Sequence, residues 1–200
     1  MTIDLFGEYA DRAFPILSSL IVPRPIAWIT TINENGTVNA APFSFFGLFG
    51  SKPPLVVFTV GNRPEGAPKD TARNAERTGE FVVHTVDEAL AETMVGTAAS
   101  LPYGESETEA ANLKTVASNV VGVPRIAAAP TALECRVHSI QKIGQNRLVL
   151  GTVVSLEVRD DLFDPETRRI IQENYHPVGR MGAPNWYCRC GDCFEMEIPG

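Results

Sequence analysis

Two runs of strand-forming residues flank the dipeptide Asn35-Gly36, and this arrangement constrains the fold more than any other feature of the chain. Residues 25–33 (PIAWITTIN) are rich in β-branched and aromatic side chains, and residues 37–42 form the returning run. Asn-Gly tolerates the positive φ angles of a two-residue hairpin turn, so the pattern predicts two adjacent antiparallel strands.

A second and longer hairpin is predicted in the C-terminal half. Residues 132–143 and 147–159 are its strands, and Gly144-Gln145-Asn146 is its turn. The continuous apolar run at residues 54–60 predicts a buried strand, and residues 80–86 predict another.

Helices are predicted between these strands, without the regular alternation of a βαβ fold. The first is capped by Asp70 or Thr71 and ended by Gly79. The order favours a mainly β fold with inserted helices, an antiparallel barrel in one domain of residues 1–200, over a doubly wound sheet. The predicted helices cover residues 69–78, 87–95 and 165–174, and residues 97–107 are predicted to form a surface loop.

The formal net charge of −7 argues against two classes of partner. An acidic chain without a cluster of Lys and Arg offers no electrostatic surface for nucleic acid or for an anionic membrane. The N-terminus has no positive segment followed by an apolar run, and no apolar stretch is long enough to span a bilayer, so we expect a cytoplasmic protein. The four cysteines are then expected to be reduced thiols or metal ligands.

The first hairpin carries small polar side chains beside apolar ones. Thr30 and Thr31 lie near the end of one strand, and Asn39 and Ser44 follow on its partner. Small hydrogen-bond donors among apolar neighbours suit a flat ring with a polar edge and a phosphate. The alternative, which the residues alone favour, is that these groups only satisfy the backbone of the hairpin.

Lys69-Asp70-Thr71 stands at the start of the first predicted helix. Free N–H groups and partial positive charge at a helix N-terminus favour phosphate binding, while Lys69 adds a cation and Thr71 a hydroxyl donor. The pattern is ambiguous, because Asp or Thr at this position is commonly just a cap and Asp70 would repel a phosphate if it pointed inward.

In the order of its motifs, the chain resembles the flavin reductase-like, FMN-binding split-barrel proteins. The resemblance extends from about Pro23 to Phe194 and depends on the shared order of short motifs. It implies an antiparallel split β-barrel of the FMN-binding type. The motifs are Arg24-Pro25, the run from Gly36 to Phe46, Pro53-Pro54, Lys69-Asp70-Thr71 with Asn74, residues 80–83, residues 151–154, and Gly179-Arg180 with Tyr187.

The resemblance also implies a homodimer with FMN near the subunit interface. Contacts to the ribityl phosphate are implied from Thr30 or Thr31, Ser44, Lys69 and Thr71, and contacts to the ring from residues 39–43. Arg24 and Arg180 are candidate cations at the phosphate or the interface. The alternatives are a surface role for Arg180 and a core role for Trp28. The candidate cofactor-binding residues are therefore Arg24, Thr30, Thr31, Asn39, Ala41, Pro42, Phe43, Ser44, Lys69, Asp70, Thr71 and Arg180.

One motif departs from the family pattern. Related reductases often carry Gly-Asp-His in the late hairpin turn, with the His near the nicotinamide, whereas this chain has Gly144-Gln145-Asn146. Because this His is missing, NAD(P)H is a candidate hydride donor rather than an expected one. Hydride passes directly to a flavin, so no catalytic acid or base is predicted. His84 and His138 are expected to pack inside strands, and His176 is a candidate to approach the ring.

Cys188, Cys190 and Cys193 form the last unusual pattern. A zinc site needs four ligands, and the fourth would have to be Cys135, His176 or a residue of a partner chain. Cys190-Gly-Asp-Cys193 also has the spacing of a redox dithiol, without the βαβ context that supports that role. We predict no metal and reduced thiols. The tail is then predicted to dock through Tyr187, Phe194 and Ile198.

Three functions are compatible with these features. The first is an enzyme, an NAD(P)H-dependent flavin reductase-like oxidoreductase that passes electrons through FMN to a flavin or a redox-protein acceptor. The second is a non-enzymatic FMN electron carrier similar to flavoredoxin. The third is a split-barrel binding protein without redox activity.

Overall fold

The computed structural model describes residues 1–197, which are built mainly from antiparallel strands. Within those residues, no helix has the length and apolar character needed to cross a membrane. The helices are α1 (Ala13–Leu20), α2 (Asp70–Thr78), α3 (Glu88–Gly96) and α4 (Glu107–Ala110), with short 3₁₀ turns at Ala10–Arg12, Asp160–Leu162 and Gln172–Asn174. The strands are β1 (Arg24–Pro25), β2 (Ala27–Ile32), β3 (Val38–Phe43), β4 (Phe46–Ser51), β5 (Pro54–Gly61), β6 (Glu80–Thr85), β7 (Thr115–Val116), β8 (Arg125–Ile126), β9 (Thr131–Ile143), β10 (Asn146–Val158), β11 (Phe163–Asp164), β12 (Arg169–Ile170), β13 (Val178–Arg180) and β14 (Tyr187–Arg189).

Seven strands form one antiparallel sheet in the order β3-β2-β6-β9-β10-β5-β4. Its two edge strands, β3 and β4, are consecutive in the chain and are joined only by Ser44 and Phe45. The sheet therefore has to curl until its edges approach each other, although β3 and β4 share no ladder in the described part of the chain. This arrangement is a split barrel, and the predicted fold class is confirmed.

Both predicted hairpins are confirmed. In the first, Ile32 pairs with Val38 across a turn in which Gly36 has a φ of 86°. In the second, Ile143 pairs directly with Asn146. The turn residues determine these registers, and the registers decide which side chains face the barrel interior.

The barrel interior is filled by apolar side chains from alternate positions of its strands. Phe58 and Phe81 meet there edge to face, with ring centroids 5.3 Å apart. Gly151 on β10 lies so close to Phe81 that an added Cβ would be 2.3 Å from the ring. On the outer face, Trp28 is fully buried with Met94 of α3, so the core role for Trp28 is correct.

The predicted helix at residues 165–174 is wrong. β11 and β12 form a tight hairpin there, and a 3₁₀ turn follows. The Asp164 carboxylate accepts hydrogen bonds from the Glu166 N–H (2.9 Å) and the Thr167 hydroxyl (2.6 Å), and Arg168 adopts a φ of 56°. These side-chain bonds stabilise a turn in competition with a helix.

Candidate functional site

A cleft runs along β3 and the connection to β4. It has a larger part of about 520 Å³, the outer cleft, and a smaller part of about 90 Å³, the inner pocket. Pro42, Phe43 and Lys69 line both parts, so the two are adjacent. The outer cleft is lined by Phe14, Pro42, Phe43, Ser44, Phe45, Thr59, Gly61, Lys69, Ile143, Asn146 and Leu148. The inner pocket is lined by Asn39, Ala41, Pro42, Phe43, Arg63, Lys69, Asp70, Thr71, residues 97–101 and Glu107.

The start of α2 contributes cationic and donor groups to the inner pocket. Lys69 is the N-cap residue, and it makes no side-chain capping bond, so the prediction that Asp70 or Thr71 caps the helix is wrong. The N–H groups of Asp70 and Thr71 in the first turn have no backbone acceptor within residues 1–197. In the same range, no carboxylate lies within 4.0 Å of the Lys69 ammonium. The helix start therefore has donors available for an anion.

Asp70 does not present an unpaired charge to this pocket. Its carboxylate accepts a hydrogen bond from Nη2 of Arg63 at 2.6 Å, and both side chains are mostly buried. The Nε atom of Arg63 is buried and has no hydrogen-bond partner among the described residues. Sequence reasoning missed Arg63, whose only signal was a cation in the loop that precedes Lys69. The ion pair removes the repulsion that Asp70 would otherwise exert on an anion.

A buried polar network joins α2 to the first hairpin. The Asn39 side-chain amide donates to the hydroxyl oxygens of Thr31 and Thr71, both at 3.1 Å. Asn74 donates to Thr31 at 3.0 Å and to the Asn33 side chain at 2.8 Å. Thr31 is fully buried in this network, whereas Thr71 also lines the inner pocket. The network fixes the position of the helix start relative to β3.

Thr30 lies apart from the cleft. Neighbouring residues of a strand point to opposite faces, so Thr30 faces away from Thr31. It is fully buried, and its hydroxyl donates to the Pro124 carbonyl at 2.8 Å. Thr30 therefore fits the alternative that the polar groups of the hairpin only satisfy backbone groups.

Ser44 lines the outer cleft and is hydrogen-bonded to Arg24. Nε of Arg24 donates to the Ser44 hydroxyl at 3.3 Å, and its other donors bind the carbonyls of Ser18, Ile21 and Met181. Burial, and then the nearby charge of Arg180, lower the pKa of Arg24. Arg24 does not line the cleft.

Arg180 is also separate from the cleft-lining residues. Its guanidinium lies 4.8 Å from the Tyr187 ring centroid and donates to the carbonyls of Pro184 (2.7 Å) and Trp186 (3.3 Å). These contacts give it a structural role in the tail.

Glu107 is a buried carboxyl that sequence reasoning missed. It lines the inner pocket and accepts a hydrogen bond from the Ala40 N–H at 3.0 Å. Burial raises its pKa. α4 is only four residues long, so no helical periodicity indicated that Glu107 would be buried.

The histidines divide into three cases. His84 is a core residue, as predicted, with Nδ1 2.8 Å from the Trp28 carbonyl and Nε2 accepting from the Ile126 N–H at 3.0 Å. Burial lowers its pKa to about 4. The packing prediction is wrong for His138, which is exposed. His176 lines a separate cavity of about 420 Å³ and does not line the cleft.

The tail cysteines are free thiols, with Cys188 and Cys190 half-buried and Cys193 exposed. No group of three or more His, Cys, Asp or Glu residues suited to a metal occurs among residues 1–197, and the metal content stays a prediction. Tyr187 contacts Arg180, but Phe194 is 84% exposed, so docking through Phe194 is wrong. Ile198 lies outside the described residues.

The cleft combines two chemistries. Its inner end collects donors that have no acceptor within residues 1–197, namely the first N–H groups of α2 and the Lys69 ammonium. Its outer part presents apolar side chains and a few hydroxyls. A ligand with a terminal oxyanion and a flat, largely apolar body fits this arrangement.

Comparison with known proteins gives consistent matches. Residues 18–178 match the family described as flavin reductase like domain. The protein BH2278 of Halalkalibacterium halodurans is 43% identical over 192 residues, 93% of this chain and 90% of the relative. The crystal structure of Pseudomonas fluorescens 2-nitrobenzoate 2-nitroreductase NbaA aligns with a TM-score of 0.91 at 36% identity, covering 100% of this chain and 96% of the other. Nitrilotriacetate monooxygenase component B from Bacillus cereus aligns with a TM-score of 0.91 at 33% identity, covering 98% of each chain.

Proposed function

Because the chain belongs to the flavin reductase-like domain family, we propose that it binds FMN in the cleft and acts as an oxidoreductase through it. The observation that carries this proposal is the set of donors at Lys69 and the first turn of α2, which have no acceptor within residues 1–197, beside the largely apolar outer cleft. FMN has the matching chemistry, a terminal phosphate on a chain that leads to a flat ring.

The residues would divide the work between phosphate and ring. Lys69, the first N–H groups of α2 and the Thr71 hydroxyl would hold the phosphate, while Arg63 keeps Asp70 neutralised. Pro42, Phe43 and Ser44 would line the ring, with Ser44 held in place by Arg24. Asn39 and Thr31 act indirectly, because they fix α2 against β3.

When bound, FMN supplies the hydride and electron-transfer chemistry, so no side chain has to act as an acid or base. The chain's own residues bind the cofactor, orient it and shield part of it from water. We propose NAD(P)H as the hydride donor and a flavin or a redox protein as the acceptor. One structural relative is a nitroreductase and another is a monooxygenase component, so the acceptor is proposed only as a class.

A second candidate function is electron transfer by bound FMN without NAD(P)H oxidation. Asn146, in the late hairpin turn, lines the outer cleft, and this is where related reductases often place a histidine near the nicotinamide. The absence of an imidazole at this position favours the non-enzymatic electron carrier over the NAD(P)H-dependent reductase. A split barrel that binds another anion without redox activity is the third candidate.

A homodimer is proposed as the working form, and a cytoplasmic location stays an expectation. α1 and β4 expose large apolar side chains, including Phe14 (66% exposed), Leu48 (79%) and Phe49 (67%), and Phe14 also lines the outer cleft. Exposed apolar groups gathered in one region mark association surfaces. Light scattering across a wide concentration range tests this, and a monomer at every concentration contradicts it.

The visible absorption spectrum of the purified protein, before and after addition of FMN, tests the cofactor assignment. A flavin spectrum that bleaches on anaerobic addition of NADH or NADPH supports the reductase. A flavin spectrum that responds to neither nucleotide, but to a chemical reductant, supports the carrier. If the protein takes up no flavin, only the third candidate remains, a split barrel that binds another anion without redox activity.

A further inference from the structure

The loop of residues 97–106 forms one wall of the inner pocket. Its first five residues, 97–101, line the pocket together with Lys69 and Thr71. The pocket measures about 90 Å³, compared with about 520 Å³ for the outer cleft. The inner pocket is therefore small, and residues 97–101 form part of its wall.

Both ends of the loop are anchored in the barrel. Thr97 is 2% exposed, and its hydroxyl oxygen accepts a hydrogen bond from Nε1 of the buried Trp28 at 2.9 Å. Ser106 is 6% exposed and donates to the Val38 carbonyl at 2.6 Å. Asn35, in the first hairpin turn, donates to the Gly104 carbonyl at 2.9 Å. These bonds hold the ends of the loop against the same hairpin that provides β3.

The middle of the loop is held by Tyr103, which contacts two guanidinium groups. The Arg63 guanidinium lies 3.8 Å from the ring centroid, and that of Arg73 lies 4.5 Å from it. The Tyr103 hydroxyl donates to the carbonyl of Pro68, the residue before Lys69, at 2.6 Å. Arg63 also donates to the Leu101 carbonyl at 3.0 Å. Cation–π contacts and hydrogen bonds thus hold the loop against Arg63, Arg73 and Pro68. We call this set of contacts the Tyr103 clamp.

We infer that the Tyr103 clamp closes the inner pocket behind a terminal phosphate, so that the chain selects FMN over FAD. The inference rests on the proposed function, because it requires the flavin phosphate to lie at Lys69. A phosphate monoester ends at this point and carries about −1.5 to −2 charges at pH 7, which the donors around Lys69 match. The pyrophosphate of FAD continues into an adenosine, which is too large for a pocket of about 90 Å³ and would have to extend past residues 97–101.

The dissociation constants of FMN and FAD, measured for the wild-type chain and for Tyr103→Ala, test the inference. The wild type is expected to bind FMN at least about tenfold more tightly than FAD. Tyr103→Ala removes the ring and the hydroxyl, so the ratio of the FAD dissociation constant to the FMN dissociation constant is expected to fall roughly three- to tenfold. Tyr103→Phe keeps the stacked ring and loses only the bond to Pro68, so its ratio should lie between the other two.

Two results would overturn the inference while leaving the proposed function intact. One is equal affinity of the wild type for FMN and FAD. The other is an unchanged ratio in folded Tyr103→Ala, or in Tyr103→Phe if the alanine variant does not fold. If the wild type binds neither flavin, the proposed function is wrong and this inference falls with it.

Discussion

At the scale of single residues, the site depends on how charges are matched around the start of α2. Asp70 would oppose an anion, but Arg63 neutralises it at 2.6 Å. Lys69 has no such partner within residues 1–197, so its charge is available to a ligand. Two adjacent charged residues at the helix start thus have different roles, because only Asp70 has a tertiary partner of opposite charge within residues 1–197.

Lys69→Ala is expected to weaken FMN binding and to leave riboflavin binding almost unchanged, because only FMN carries the phosphate. Loss of one charge-assisted contact costs roughly 1.5–3 kcal/mol, or about a 10- to 150-fold change in the dissociation constant. Fluorescence titration with both flavins measures it. Lys114→Ala, at an exposed lysine that does not line the cleft, is the control. Equal losses for FMN and riboflavin would exclude Lys69 from the phosphate site.

His84 makes the stability of the chain depend on pH. Its folded-state pKa of about 4 lies below the ordinary value of 6.5, because burial of the ring and the nearby charge of Arg125 outweigh the hydrogen bond to the Trp28 carbonyl, which raises the pKa. As the pH falls below about 6.5, the unfolded chain takes up a proton that the folded chain does not. The free energy of unfolding should therefore decrease between pH 6.5 and about 4, by up to roughly 3 kcal/mol from this group.

Urea denaturation at several pH values checks this prediction. His84→Gln should be less stable at pH 7 and should lose most of the slope between pH 6.5 and 5, where few carboxyl groups titrate. His138→Gln is the matched control, since His138 is exposed, and it should retain the wild-type slope. A wild-type slope in His84→Gln would show that other groups cause the pH dependence.

At the scale of elements, the β9–β10 hairpin shapes the barrel through a close contact between strands. Gly151 lies at a register shift of this hairpin, and its lack of a side chain makes room for the Phe81 ring on β6. Because Phe81 is fully buried and packs on Phe58, the ring has no space into which it can move. The bulge and the glycine together let the long strands bend around the core.

Gly151→Ala is therefore expected to destabilise the chain by about 1–3 kcal/mol through overpacking. Gly96→Ala, at the last residue of α3 with no atom within 4 Å of an added Cβ, should be neutral or slightly stabilising. Thermal or urea denaturation of both variants measures the difference. A Gly151→Ala variant as stable as the wild type would mean that β10 or the Phe81 ring can shift without cost.

Elements with strong local signals were predictable from the sequence, and elements formed by tertiary contacts were not. Asn35-Gly36 and the late Gly144 turn specify their hairpins locally, so both appeared at the predicted place. The hairpin at 163–170 is an exception, because its turn is stabilised by local side-chain bonds of Asp164 that the predicted helix did not take into account. Arg63 and Glu107 gained their places in the site from contacts across the barrel, which no spacing in the sequence encodes.

At the scale of the whole molecule, the split in the barrel creates the cleft. Within residues 1–197, β3 and β4 are consecutive edge strands that do not pair with each other, and the connection between them, Ser44 and Phe45, lines the outer cleft. α2 brings Lys69 to the inner end, and residues 97–101 form part of the wall there. The fold therefore places an anion-binding helix start at one end of an apolar cleft, and this is the arrangement on which the proposed FMN site depends.

Equilibrium titration of the flavin-free protein with FMN tests this central claim most directly. The account predicts saturable binding of one FMN per chain with a dissociation constant in the micromolar range or below, about −8 kcal/mol or stronger. Absence of saturable FMN binding at micromolar concentrations, in protein shown by circular dichroism to be folded, would contradict it.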